Sequence, residues 1–179
     1  MSDQTSTQQE TVSLDGQAFK QLLLAGMSWL EQHYQIVNQL NVFPVPDGDT
    51  GINMLLTMQS AYSEIAEMDD NHVGQIARKF SKGAVNGSRG NSGVILSQIW
   101  RGFSVALREL ETLDAAALAA AVEAGTKFAY DAAPKPAREG TILTVVREVG
   151  EHAQQIVKTD GDLTSVLEQM VEQANVTLE

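Results

Sequence analysis

The sequence predicts an all-α fold, an up-and-down antiparallel helical barrel or bundle of about eight helices. Three observations carry that prediction. Apolar residues recur at the helical spacing of three and four from about residue 15 onward. No stretch alternates apolar and polar residues as a half-buried strand would. The intervening segments are short and rich in Gly, Pro, Asn and Asp, which suits helix-to-helix turns.

The first helical stripe covers about 15–40 and places Phe19, Leu22, Leu23, Met27, Leu30, Tyr34, Val37 and Leu40 on one face. Asp15 is its expected N-cap, and Gly26 is a point where it would divide into two helices, bringing the count to eight. A second covers about 52–67, with Ile52, Leu55, Leu56, Tyr62 and Ile65 inward. A third covers about 73–85, with Val73, Ile76, Ala77, Phe80 and Ala84 inward. A fourth covers about 92–110 and carries Ile95, Ile99, Phe103, Ala106 and Leu110. A fifth, alanine-rich, covers about 115–132 behind Asp114. A sixth covers about 142–158, where the spacing of Ile142, Val145, Val146, Val149, Ala153, Ile156 and Val157 is helical although Val145-Val146 alone would suit a strand. A seventh starts at Leu163 behind Asp162 and runs to the last residue without a Gly or Pro stop, so the sequence reads as a piece of a longer multidomain chain.

Composition narrows the function. The chain has 179 residues, with 12 basic against 23 acidic side chains and a net charge of -11. An acidic surface does not suit a general nucleic-acid binder or docking on anionic lipid. Without cysteine there are no disulfides and no thiolate metal sites. No apolar run is long enough to span a bilayer, so direct membrane insertion is not expected. The N-terminus lacks a secretion signal, and a cytoplasmic location is the expectation. Residues 1–11 are polar and expected to be a disordered tail, and 12–179 to be one helical domain.

In an up-and-down path the odd-numbered loops share one end. Those loops are "NVFPVPDGDTG" (41–51), "NGSRGN" (86–91) and "APKPAREG" (133–140). The even ones, around "EMDDNH", "LETLD" and "TDGD", are plain polar turns. Glycines, prolines and mixed charges thus collect at one mouth of the bundle, as they would at a binding site.

Asp47-Gly48-Asp49 puts two carboxylates on a tight turn behind Pro46. Hard oxygen ligands suit Mg²⁺ or Ca²⁺, and Mg²⁺ needs only one or two carboxylates beside water and phosphate. An EF-hand is excluded, because counting from Asp47 puts Ile52 at position six and Met58 at position twelve. Asn41 offers a further carbonyl oxygen. The plain alternative is a turn in which Asp49 or Thr50 caps the next helix. In "NGSRGNSG" (86–93), glycines at 87, 90 and 93 open a helix whose first backbone N–H groups would suit a phosphate. Arg89 adds a forked cation, and Ser88, Asn91 and Ser92 add hydrogen bonds. It is neither a Walker A loop nor a G-x-G-x-x-G loop; the plain alternative is a capped turn. In "REGTILTV" (138–145), Gly140 and Thr141 would line a nucleotide or cap the helix. His33, His72 and His152 show no ligand spacing. Trp29 and Trp100 sit in helical stripes and are expected in the core.

Three motifs in order, "LNVFPVPDGDTGINMLLTM", "SRGNSGVILSQIWRGF" and "EGTILTVVRE", resemble the nucleotide-binding domain of the bacterial fatty acid kinase ATP-binding subunit. That domain is similar to the L subunit of dihydroxyacetone kinase. The resemblance runs from about residue 12 to the end. It implies a helical barrel with ATP or ADP in one mouth and Mg²⁺, as a pair of ions, on the aspartate loop. The metal carboxylates fall on Asp47 and Asp49, with Asn41 where dihydroxyacetone kinases carry a further aspartate. Asp47, Asp49 and Arg89 would carry the catalysis. The phosphate loop falls on Ser88, Gly90, Asn91, Ser92 and Gly93. Further nucleotide contacts fall on Thr50, Gly51, Asn53, Met54, Thr141 and Leu143. The implied reaction is γ-phosphoryl transfer to a fatty acid on a lipid-binding carrier protein, giving an acyl phosphate, with a homodimer formed through domains outside this chain. The alternatives are phosphoryl transfer to a small hydroxy-ketone, or a nucleotide-binding module without turnover of its own.

Overall fold

The computed structural model describes residues 13–42 and 46–179. Within them lie seven helices: α1 (Gly16–Gln39), α2 (Thr50–Ser63), α3 (Val73–Asn86), α4 (Gly90–Ala106), α5 (Ala115–Ala132), α6 (Ile142–Ile156) and α7 (Leu163–Leu178). Among the described residues, only an isolated bridge between Leu14 and Leu113 has extended pairing. The all-α antiparallel bundle is therefore as the periodicity predicts. The expected N-terminal tail falls on residues outside the described ones. No helix among the described residues is long and apolar enough to cross a membrane.

The helices pack in chain order, each against the next, with α2 also touching α4 and α1 touching α3. One apolar core runs through the array, from Phe19 and Leu23 of α1, through Ile76, Phe80 and Phe103, to Val149 and Ile156 of α6 and Val166 of α7. Phe80 is 1% exposed and meets Trp100 edge-on at 4.9 Å. Burying a side chain of that size contributes roughly 1.5–3 kcal/mol. The closest packing of α4 on α5 is at Gly102, which lies directly against the backbone of Gly125, so that a side chain at 102 would force the helices apart.

Two expectations change. Gly26 does not divide the first helix, because α1 is continuous from 16 to 39; Gly26 faces open space and costs only helix propensity. Trp29 is not core. It is 66% exposed on the outer face of α1, stacked on His33 at 4.2 Å, while Leu23 and Met27 face inward from the other side of the helix. Trp100 does pack on the core.

The even-numbered connections meet at one end and are stitched together by backbone bonds. Leu14 and Leu113 exchange N–H···O bonds at 2.9 and 2.8 Å, Gly16 N–H donates to Asn71 O at 2.7 Å, and Val73 and Gly74 N–H donate to Glu111 and Leu110 carbonyls at 3.1 Å each. Antiparallel packing then puts the starts of α2, α4 and α6 at the opposite end, the mouth.

Candidate functional site

The mouth is built first from the start of α2. Gly48 has φ +66°, a left-handed conformation that glycine adopts without a steric penalty, and it turns the chain between the two aspartates. Gly51 lies so close to the Tyr34 carbonyl of α1 that no side chain would fit, which seats α2 on α1. Asp49 occupies the N-cap position of α2, yet its side chain accepts no capping hydrogen bond. The capping is done from the neighbouring helix: Asn38 Oδ1 of α1 accepts from Ile52 N–H at 3.1 Å. The Asp49 carboxylate is thereby left without a protein partner among the described residues. The Asp47 carboxylate accepts one bond, from Asn41 Nδ2 at 2.6 Å. Asn41 therefore stands beside Asp47, turning its amide nitrogen and not its carbonyl oxygen to that carboxylate.

The start of α4 adjoins that of α2. Gly90, at φ +58°, presses on the Asn53 side chain, and Gly93 presses on the Thr57 hydroxyl. Arg89 N–H donates to Thr57 Oγ1 at 3.3 Å. Arg89 is the N-cap residue of α4 and has extended backbone, but its side chain cannot cap. The guanidinium is exposed and makes no hydrogen bond or ion pair among the described residues. Ser88 Oγ donates to Val85 O at 3.0 Å, closing the end of α3. Asn91 and Ser92 stand at the surface of the first turn of α4, with Asn91 exposed and Ser92 half-buried. Thr50, Asn53 and Met54 are half-buried along the start of α2.

The third loop is braced differently. Tyr130 Oη donates to Glu139 Oε1 at 2.9 Å, Thr144 Oγ1 donates to Glu139 Oε2 at 2.7 Å, and Arg147 pairs with Glu139 at 3.2 Å. The Thr144 and Tyr130 hydroxyls hold the Glu139 carboxyl below its usual range, with Arg147 adding to them. Burial moves the Tyr130 phenol upward, and its hydrogen bond from Arg147 opposes this. Thr141 is the N-cap of α6, accepting from Leu143 N–H at 3.3 Å, and Leu143 is 3% exposed in the core. The cap role that the sequence allows for Thr141 is thus in use, and the Leu143 side chain is buried in the core.

The chain's helix starts differ in how they are closed. Asp15, His72, Asp114, Thr141 and Asp162 each cap their own helix with a side chain, whereas Asp49 and Arg89 do not. The two helix starts without a cap of their own touch each other. Each brings unpaired backbone N–H groups and the positive end of a helix dipole. Together with two aspartates and one unpaired guanidinium, they can hold a polyanion and a hard cation side by side. No group of three or more acidic or histidine side chains able to hold a metal occurs among the described residues. Sequence reasoning missed two residues of this arrangement, Asn38 and Thr57. Asn38 gives no local signal, since it acts from another helix. Thr57 gives a weak one, as a hydroxyl inside the apolar run "MLLTM".

Residues 44–179 match the DAK2 domain. Protein YloV of Bacillus subtilis is 44% identical over 166 residues, covering 93% of this chain and 30% of its own length. An uncharacterized protein of Staphylococcus saprophyticus is 43% identical, and one of Staphylococcus aureus 39%, with the same coverage. The chain therefore spans about 30% of the length of the curated relatives it matches. On this match, which includes the aspartate, glycine and third loops, the chain belongs to the DAK2 domain family, a kinase-related family of nucleotide-binding modules.

Proposed function

We propose that this chain is the ATP-holding domain of a fatty acid kinase, which passes the γ-phosphoryl group to a fatty acid delivered by a lipid-carrying protein. The observation that carries the nucleotide part is the pairing of α2 and α4 at their two starts without caps of their own, beside Asp47, Asp49 and Arg89. Membership of a kinase-related family supports phosphoryl transfer. The fatty acid comes from the resemblance of the three motifs.

The donor set fits Mg²⁺. Asp49 has no protein partner among the described residues, and Asp47 keeps one oxygen clear of Asn41, so hard carboxylate oxygens are available without dismantling a salt bridge seen there. Asp47 and Asp49 would hold the ion, with Asn41 orienting Asp47. When bound, Mg²⁺ supplies charge neutralisation to the phosphates. The chain's own groups do the positioning. Amides at the starts of α2 and α4, around Thr50, Gly51 and Gly90–Gly93, would receive phosphate oxygens. Arg89 would set its fork against the charge that moves with the γ-phosphoryl group. A fatty carboxylate is already ionised near neutral pH, so the attack needs no general base. His72 belongs to the opposite end, where it caps α3 by accepting from Gly74 N–H at 3.1 Å.

The test is ATP consumption by this chain and by its full-length counterpart, each with and without a fatty-acid-loaded carrier protein. Turnover only with the loaded carrier, with an acyl phosphate as product, supports the proposal. Turnover on dihydroxyacetone alone would replace it with hydroxy-ketone chemistry. Tight nucleotide binding without turnover in either length would leave a binding module.

A further inference from the structure

We infer that Thr57 is a positioning residue for the phosphate grip, and that its hydroxyl sets the register between the start of α2 and the start of α4. This rests on the nucleotide reading above and adds to it a residue that makes no contact with solvent.

Thr57 lies in the second turn of α2 and is 0% exposed. A hydroxyl has one donor and two acceptor sites. Its donor goes to Asn53 O at 2.7 Å, the carbonyl one turn back along its own helix. That bond alone would be an ordinary helix-interior threonine. Its acceptor is used across the helix pair, by Arg89 N–H at 3.3 Å. Arg89 is the N-cap residue of α4, and its guanidinium has no partner among the described residues. The hydroxyl therefore fixes the backbone that carries the cation.

The neighbouring glycines show that the fit is made around this oxygen. A Cβ on Gly93 would collide with Thr57 Oγ1, and a Cβ on Gly90 would collide with the Asn53 amide. Residues 90 and 93 of α4 thus sit on residues 53 and 57 of α2, first turn on first two turns. A phosphate tail gripped from both helix starts is sensitive to their relative position. Misplacing groups by about 1 Å can cost on the order of a hundredfold in rate. Removing the hydroxyl leaves Arg89 N–H without its acceptor and releases the α4 start from α2.

The experiment compares Thr57→Val, Thr57→Ser and the unmodified 179-residue chain. ADP with Mg²⁺ is titrated by calorimetry, the melting temperature is followed by circular dichroism, and hydrogen exchange is read at the Arg89 amide. Thr57→Val keeps the shape and loses the hydroxyl. It is expected to weaken ADP binding by about tenfold or more and to speed exchange at Arg89, while Thr57→Ser stays within about threefold of the parent. Should Thr57→Val not fold, Thr57→Ala removes the same oxygen and is read in the same way. A hydroxyl-free variant with a lower melting temperature but unchanged ADP affinity overturns the inference and leaves Thr57 structural. Loss of affinity in Thr57→Ser equal to that in Thr57→Val overturns it too. If the unmodified chain binds no ADP, the nucleotide reading itself fails, and the inference falls with it.

Discussion

The two ends of the bundle are made from the same kinds of turn, and two helix starts at one end are finished differently from all the others. At the closed end, α1, α3, α5 and α7 begin with Asp15, His72, Asp114 and Asp162, and each accepts a backbone N–H from its own first turn. The connections there also bond to one another through Leu14, Asn71, Leu110, Glu111 and Leu113. At the mouth, Thr141 caps α6, but α2 and α4 begin with Asp49 and Arg89, which cap nothing, and α2 takes its cap from Asn38 of α1. A side-chain cap contributes about 0.5–2 kcal/mol, so the start of α4 gives up stability that the other helix starts take. Ordinary folding pressure acts on both ends alike. The difference is what a site for an anion requires: donors kept available, with carboxylates and a cation held nearby but not spent on each other.

The comparison can be broken most directly at the aspartates. Asp47→Ala with Asp49→Ala is expected to abolish Mg²⁺-dependent nucleotide binding in calorimetry while the helical circular dichroism stays unchanged. Unaltered affinity would mean that these carboxylates are only a turn. Next in size is Arg89→Ala, expected to weaken ATP binding or transfer by about 1.5–3 kcal/mol, the range for hydrogen bonds to charged groups. Its melting temperature should hold, because no ion pair is lost.

At the closed end the expectation reverses. Asp114 Oδ1 accepts from Ala117 N–H at 2.8 Å, so Asp114→Ala should lower stability by about 0.5–2 kcal/mol in urea and leave nucleotide affinity alone. The smallest effect concerns pH. The Glu139 and Asp160 carboxyls both lie below their ordinary values, Glu139 chiefly through the Thr144 hydroxyl and Asp160 chiefly through the Ser165 hydroxyl. A depressed carboxyl stabilises the fold above its unfolded value, about 4, and loses that contribution as pH falls through the lower folded value. The melting-temperature gap between the parent and Glu139→Gln should therefore be constant from pH 7 to about 5 and close below about 4.

Much of this was legible in the sequence, and the reasons differ by residue. Helix class and order follow from periodicity, because Phe80 or Ile76 cannot face the core at any other spacing. The gathering of the loops follows from parity in an antiparallel path. The continuity of α1 through Gly26 was not legible, since one glycine in a helix costs only about 1 kcal/mol and packing overrides it. Trp29 misled because its apolar ring suggests the core, whereas its position falls on the face of α1 shared with the exposed Leu22 and Ile36, where it stacks on His33. Leu143 lies in a loop-adjacent motif, but its direction is set by the helix that Thr141 caps. The division of labour between Asn38 and Asp49 depends on α1 meeting α2, which no local pattern records.

The central claim is that the mouth, and not the closed end, receives the phosphates. Backbone amide shifts in an NMR titration of the chain with ADP and Mg²⁺ test it directly. The account predicts the largest shifts at Thr50, Gly51, Gly90, Asn91 and Ser92, with Asn71, Val73 and Leu113 unmoved. Shifts centred on 70–74 and 110–115, or none at the starts of α2 and α4, would contradict it.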